Sequence, residues 1–325
     1  MTPTVSLDVI VCTWNNAALL DRTLRSLEAQ HPVPGLDWSL LVVDNNCTDD
    51  TSLVLQAALS RGLPLRVEHE PEQGLTPARL RGVRSTTRTW LAFVDDDCVL
   101  DPAWLAQTAA FIGAHPDCGA FGGRITLAWE GSPPAYALRV PYAFAGKNHG
   151  DTPHRRTWLA GLGMTVRRAA LESTGWVERP LLADRIGSRL VSGGDMEIGL
   201  RIASRSHEVW YAPECRITHC IPERRTSRDY LARLLAGLGA SRHQVAALTW
   251  ARSAPAFAGF SIAVAVGFAA RGLLDTVLDV GRPAPRAGPR VAFAPLTGWV
   301  HAMRHLWRLP ESERRALIGA ARPVG

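Results

Sequence analysis

The run Trp90-Leu91-Ala92-Phe93-Val94 followed by Asp95-Asp96-Asp97 constrains this chain more than any other stretch. Five apolar residues are too few for a buried helix and suit a buried strand, and the Asp101-Pro102 pair beyond reads as a helix start. A strand therefore delivers three acids at its carboxyl end, the edge where open α/β sheets bind ligands. In an extended segment alternate side chains share a direction, so Asp95 and Asp97 are expected to converge while Asp96 faces elsewhere. Two convergent carboxylates stay ionised when a cation sits between them, and oxygen donors favour Mg²⁺ or Mn²⁺, ions that commonly also hold substrate phosphates.

The same alternation recurs along the first half. Strands are expected over residues 5–12, 38–43, 65–69 and 119–127, and helices over 17–30, 48–60 and 102–114. Leu20, Leu24 and Leu27 fall on one helical face. Gly74-Leu75-Thr76-Pro77 sets a further helix start, with Thr76 as cap and Pro77 at the first helical position. Short connections between alternating strands and helices call for a mostly parallel, doubly wound α/β sheet. Residues 131–154 lose periodicity and gain Pro, Gly and Tyr, the composition of a long loop. Strand and helix return over 160–173, and Ser192-Gly193-Gly194-Asp195 opens another helix, where Asp195 can serve simply as a cap. Short strands follow at 209–213 and 216–219, the second closed by His219, which reads as a structural hydrogen-bonder or a metal ligand.

Charge is unevenly placed. The chain of 325 residues carries a formal net charge of +6, and Lys147 is its only lysine. From residue 220 onward fifteen arginines stand against six acids, an excess of nine. Arginine forks suit phosphates and anionic surfaces, and no nucleic-acid-binding pattern accompanies them. Residues 253–270 are uncharged between Arg252 and Arg271, just short of the roughly 20 apolar residues of a spanning helix. A packed or in-plane helix therefore ranks first. Two regions are expected, 1–245 and a basic, partly apolar helical region over 246–325, whose contact with an anionic membrane surface weighs about level with an ordinary charged appendage. Six cysteines without a Cys-x-x-Cys pair suit a reducing cytoplasm, and no basic stretch precedes an apolar core at the N-terminus.

Read together, residues 9–15, Val42-Val43-Asp44-Asn45-Asn46-Cys47-Thr48-Asp49, Gly74-Leu75-Thr76-Pro77-Ala78-Arg79 and Phe93-Val94-Asp95-Asp96-Asp97 resemble the family 2 glycosyltransferases of the GT-A fold. Gly193-Gly194-Asp195 and His219 extend the resemblance to about residue 245. It implies an inverting sugar transfer from a nucleotide-diphosphate sugar, with a divalent cation, Mn²⁺ or Mg²⁺, on the diphosphate. By that likeness Thr13, Trp14, Asn15, Asp44 and Arg79 would hold the nucleotide, and Asp95 its ribose region. Asp97, with Asp95 and His219, would hold the metal, and Asp195 would be the general base. The sequence departs from the family pattern at Trp14 (usually Tyr), Cys47 (usually Ser), Leu80 (usually Asn) and Gly194 (commonly an acid). The Gln-x-x-Arg-Trp element of processive synthases is absent, which implies one sugar per encounter. The acceptor is expected to be a lipid-linked or cell-envelope glycan, met at the inner face of the membrane. Two other readings are weighed. A sugar nucleotidyltransferase wants a glycine-rich basic loop where Thr13-Trp14-Asn15-Asn16 stands, and an inactive nucleotide-sugar-binding module would sit better with Asp97 or Asp195 missing.

Overall fold

Alternate residues of the central strands pack on opposite faces of one sheet, so both faces need helical cover. Val9 and Val11 of β1 (Val5–Thr13) and Leu40 and Val42 of β2 (Leu36–Asp44) join one apolar cluster, while Ile10, Leu41 and Val43 join the other. On the first face lie α1 (Ala17–Glu28), α2 (Thr51–Ser60) and, past β3 (Leu65–His69), α3 (Leu75–Arg84), β4 (Trp90–Asp95) and β5 (Cys98–Leu100), helix α4 (Trp104–Ala114). The second face is covered by α3 and by elements later in the chain. The computed structural model describes residues 5–182, 184–187, 189–282 and 286–322.

The remaining elements are β6 (Cys118–Trp129), α5 (Ala135–Leu138), β7 (His154–Arg155), β8 (Met164–Arg167), α6 (Arg168–Glu172), α7 (Gly194–Ser204) and β9 (Glu208–Ile221). Helices α8 (Arg228–Leu248), α9 (Ala254–Val280), α10 (Pro289–Ala292), α11 (Ala294–Arg308) and α12 (Glu311–Leu317) follow. Strand order is β3-β2-β1-β4-β8-β6-β9-β5, with β7 paired to β9. The fold is mixed α/β with a helical C-terminal region, and the sheet is parallel in its long ladders and antiparallel only in its short ones. The run β3-β2-β1-β4 and the β6/β9 pair are parallel; β8 runs against both β4 and β6, and β5 and β7 run against β9. Residues 130–163, which carry α5 and β7, connect β6 to β8, and β8 enters the sheet antiparallel to both of its neighbours.

Other expectations shift locally. Residues 209–213 and 216–219 are one strand, interrupted in register opposite Gly123 and Ile125, where a Cβ on Gly123 would collide with the Cys215 carbonyl. Gly74, not Thr76, precedes α3. Gly74 N–H donates to Asn45 Oδ1 at 2.8 Å and Leu75 N–H to the Arg185 carbonyl at 2.9 Å, so tertiary partners take the place of the Thr76 hydroxyl. All six cysteines are free.

No break falls at residue 245, since α8 runs through it. Helix α11 lies along α8 at close range: a Cβ on Gly298 would fall on the Ala236 carbonyl, and one on Gly239 on the Pro295 carbonyl. Buried His243 of α8 meets Ser261 of α9 at 3.2 Å, and Trp299 Nε1 of α11 donates to the Ser261 carbonyl at 2.9 Å. The uncharged stretch is the first part of α9, whose 27 residues extend roughly 40 Å. That helix is long and apolar enough to cross a membrane, yet Phe257, Ser261, Gly272 and Asp279 are buried against the protein. Its outer face exposes Ile262, Val266, Leu273 and Val277.

Backbone proximity at the α8/α11 seam makes Gly298→Ala an overpacking change, expected to cost about 1–3 kcal/mol. Gly267 of α9 has open space where a Cβ would go, so Gly267→Ala is expected to be neutral or to stabilise by up to about 1 kcal/mol through helix propensity. Urea denaturation of the two variants checks this pair, and equal midpoints would contradict the close α8/α11 approach.

Candidate active site

Three strand ends and one late turn build the main cavity. β1 ends at Thr13 and is followed by Trp14, Asn15 and Asn16; β2 ends at Asp44 with Asn45 beyond; β4 ends at Asp95. The 3-10 turn Glu223–Thr226 and the start of α8 bring Arg224, Arg225, Tyr230 and Arg233 to the opposite wall, and Arg185 completes it. The cavity, open to solvent on one side, has a volume of ≈ 480 Å³.

The base of the cavity is tied loop to loop. Asn15 and Asn46 take positive φ (50° and 65°), a conformation asparagine tolerates. Asn15 Oδ1 accepts from Thr48 N–H at 2.7 Å, and Asn45 Oδ1 accepts from Gly74 N–H at 2.8 Å. Trp14 is left 41% exposed on the wall, presenting an apolar ring for a planar group to stack on. Asp44 turns inward to accept from Cys47 N–H at 2.8 Å, and its neighbour Asn45 lines the cavity instead.

The acid triplet does not alternate as an extended strand would. The chain turns at Asp96 and Asp97, so all three acids line the same cavity. Asp96 accepts from Thr13 Oγ1 and Asn16 Nδ2, both at 2.7 Å. Burial, reinforced by Asp97, pushes its pKa up to about 7 against the pull of those two donors. Burial likewise raises Asp95, opposed chiefly by Arg79. Asp97 goes the other way. Although burial works against its ionisation, His219 Nε2 at 3.3 Å and Arg225 Nη1 at 2.6 Å hold the carboxyl well below the usual range.

Among the described residues no three acid, histidine or cysteine side chains are already gathered around one point as a metal cage, so Asp95, Asp97 and His219 do not form the expected triad. Two of them do meet. His219 Nδ1–H donates to the Phe144 carbonyl at 2.8 Å, and its Nε2 and the Arg225 guanidinium both face Asp97 Oδ2. With Nε2 deprotonated, that nitrogen and the Asp97 carboxylate could share a cation, and a divalent ion bound by one or two protein groups plus substrate phosphates is an ordinary Mg²⁺ or Mn²⁺ arrangement.

Arg79 does not line the cavity that Trp14 borders. It is 4% exposed beneath the site, with Nη1 2.9 Å from Asp184 Oδ2 and Nη2 3.9 Å from Asp95 Oδ1. It joins the strand end to the segment before α7. Burial pushes Asp184 up to about 6 despite Arg79, with Asp195 adding to the rise. A Cβ on Gly194 would lie 2.7 Å from Asp184 Oδ2, so a carboxylate occupies the space beside the residue where the family commonly carries an acid.

Asp195 sits in the first turn of α7, with Oδ2 accepting from Gly161 N–H at 2.7 Å. It lines a second cavity of ≈ 290 Å³, together with Tyr142, Lys147, Trp158, Leu238 and Arg242. The two cavities adjoin: Leu75, Asp95 and Arg185 border both. Thus Asp97 and Asp195 face connected space. Sequence reading placed Arg224, Arg225 and Arg233 in a basic tail; the turn after β9 folds them back onto the acids instead. Asp184 carried no sequence signal, since an isolated acid outside a motif looks like any surface residue.

A mixed α/β sheet whose strand ends present acids and a basic turn to one nucleotide-sized cavity defines the GT-A type of glycosyltransferase. The family model described as "Glycosyl transferase family 2" matches residues 8–171. This chain belongs to the family 2 glycosyltransferases. A PGL/p-HBAD biosynthesis glycosyltransferase of Mycobacterium tuberculosis is 38% identical over 109 residues, which cover 33% of this chain and 41% of that relative. A glucosyl-dolichyl phosphate glucuronosyltransferase of Haloferax volcanii is 22% identical over 241 residues, covering 70% of this chain and 73% of that one. In fold, the chain is similar to a mannosyltransferase of Pyrobaculum calidifontis solved with GDP-Man and Mn²⁺, with a TM-score of 0.59, 20% identity, and coverage of 94% and 88% of the two chains.

The Arg79–Asp184 pair yields a stability test. Asp184→Ala leaves a buried guanidinium without its nearest carboxylate and is expected to lose about 3–5 kcal/mol. Asp184→Asn, which keeps a hydrogen-bond acceptor, is expected to lose less. Denaturant unfolding of both variants decides it; an unchanged midpoint for Asp184→Ala would mean the pair does not hold the segment.

Proposed function

We propose that the protein is an inverting, non-processive glycosyltransferase that moves one sugar from a nucleotide-diphosphate sugar to a hydroxyl of a glycan or lipid-linked acceptor of the cell envelope. The observation that carries this reading is the junction of the two cavities at Asp95, with the acid triplet and arginines in one and Asp195 in the other.

The donor fits the first cavity by its chemistry. The base stacks on Trp14 beside Thr13 and Asn15, the ribose reaches Asp95, and the diphosphate meets Arg185, Arg224, Arg225 and Arg233, whose forks match phosphate oxygens. Asp97 and His219 would hold a divalent cation, Mn²⁺ or Mg²⁺, which neutralises charge on the leaving diphosphate. Arg79 takes a positioning role in place of a contact with the base, fixing Asp95 and, through Asp184, the approach to α7.

Transfer then follows as a single displacement. The acceptor hydroxyl in the second cavity gives its proton to Asp195; its oxygen bonds to the anomeric carbon as the bond to the diphosphate oxygen breaks. The attack comes from the face opposite the leaving group and inverts the centre. Gly161 N–H anchors one oxygen of Asp195 and aims the carboxylate.

A peripheral membrane position suits this acceptor. The outer face of α9 exposes Ile262 (58%), Val266 (65%) and Val277 (69%), and exposed Arg252, Arg286 and Arg290 flank its ends. Apolar residues between cations are what an in-plane helix presents to anionic lipid. Sedimentation with vesicles of phosphatidylglycerol is expected to carry the protein down at low salt, and vesicles of phosphatidylcholine much less; equal recovery with both would remove the electrostatic part of this placement.

The enzymatic reading is tested by a panel of nucleotide-diphosphate sugars with Mn²⁺, one of which is expected to raise the unfolding temperature by mass action. With that donor, Asp195→Asn is expected to keep binding and lose turnover by about 10²-fold or more, the range for a general base. Asp97→Ala is expected to lose the metal-dependent part of donor binding. Turnover by Asp195→Asn equal to wild type would take Asp195 out of the mechanism.

A further inference from the structure

A chain with 36 basic residues uses lysine once, and the fold sets that lysine in the cavity beside Asp195. Lys147 is held in place by its backbone: its carbonyl accepts from Ile125 N–H at 2.8 Å, and its N–H donates to the Ile125 carbonyl at 3.0 Å. The ammonium lies 5.2 Å from the ring centre of Trp158, and the Arg156 guanidinium lies 5.8 Å from the same ring. Arg242, from α8, lies 5.6 Å from the ring of Tyr142.

Three cations therefore gather around two aromatic rings. Among the described residues none of the three has a carboxylate within the 4.0 Å of an ion pair. Their mutual repulsion registers on Lys147, whose pKa is lowered by burial first and then by Arg156 and Arg242, with Asp195 pulling the other way. The wall around them is apolar at Leu159, Leu162, Met196 and Leu238, while the carboxylates of the cavity, Asp95, Asp184 and Asp195, lie with Arg79, which pairs with the first two. An apolar wall beside two cations that have no ion-pair partner among the described residues calls for a ligand with an apolar body and a negative group. The donor diphosphate does not supply it, because Arg185, Arg224, Arg225 and Arg233 already serve the first cavity, which neither Lys147 nor Arg242 lines.

We propose that the acceptor carries an anionic group, a phosphate or a carboxylate, on an apolar or aromatic body, and that Lys147 and Arg242 hold that group while Trp158 and Tyr142 flank the body. This assignment rests on Asp195 as the base that receives the acceptor's proton, and it specifies what the acceptor must be. Binding an anion there lifts the repulsion among the cations and moves it close to the reacting hydroxyl. A lysine suits the position because a compact ammonium makes a point contact with an oxyanion, where a guanidinium would spread across the aromatic wall.

The experiment uses the full chain and three probes: geranyl phosphate, geraniol and inorganic phosphate. Titration calorimetry on wild type is expected to give geranyl phosphate a Kd at least about tenfold below that of geraniol, with inorganic phosphate weaker than geranyl phosphate. Lys147→Met and Arg242→Gln are each expected to weaken geranyl phosphate about five- to tenfold and to leave geraniol unchanged. Ester and alcohol binding alike, or both variants binding the ester as wild type does, would overturn the proposal. Inorganic phosphate binding as tightly as the ester would overturn the requirement for an apolar body. Each variant's thermal response to the nucleotide sugar with Mn²⁺ separates the two readings. No donor response in wild type means that the transferase reading fails, whereas a donor response in all three proteins without any charge-dependent probe binding means that only the acceptor assignment fails.

Discussion

A buried guanidinium organises the catalytic half of this molecule. Arg79 projects from α3 beneath the sheet edge, where Asp184 and Asp95 meet it directly and Asp195 is close enough to add to its charge stabilisation. Burial disfavours a cation, and only these surrounding carboxylates keep the site favourable. The consequence is mutual: each acid is held near the position that Arg79 defines. Strand β4, the segment before α7 and the first turn of α7 come from distant parts of the chain, and one side chain relates them.

Around that anchor the charges separate into two compartments. Arginines from the turn after β9 and from α8 line the cavity with the acids at the end of β4, so the first cavity offers both a carboxylate-rich floor and an arginine-lined wall. The second offers aromatic rings, apolar walls and three carboxylates, Asp95, Asp184 and Asp195, with Lys147 and Arg242 on its wall and Arg156 in the adjoining pocket. Among the described residues no arginine or lysine lies within the 4.0 Å of an ion pair from the Asp195 carboxylate, whose Oδ2 accepts from Gly161 N–H at 2.7 Å. Asp97, by contrast, is pinned by Arg225 and His219 and stays ionised.

The helical C-terminal region is part of the same architecture. Helix α8 contributes Tyr230, Arg233, Leu238 and Arg242 to the two cavities and also the seam against which α11 packs. Anything that fixes α9 and α11 is therefore mechanically continuous with the wall of the second cavity. The His243–Ser261–Trp299 contacts transmit that continuity through buried hydrogen bonds.

Much of this was written locally. Apolar runs of strand length, Pro and Gly at turns and the acids at strand ends determined the α/β alternation, and the acid triplet, Trp14 and Asp195 all lie at the strand and helix ends where their neighbours in sequence place them. Local pattern could not order the strands, because the direction of β8 depends on where residues 130–163 return and not on what β8 contains. Nor could it reveal the turn at Asp96 and Asp97, the burial of Arg79, or the return of Arg224, Arg225 and Arg233 to the cavity. Those depend on contacts such as Arg79 with Asp184, 105 positions apart, and Arg225 with Asp97, 128 apart, and charge in one dimension does not say which acid a given arginine will face. Secondary structure follows from short-range periodicity; the pairing of buried charges is decided only when the sheet closes and water leaves between them.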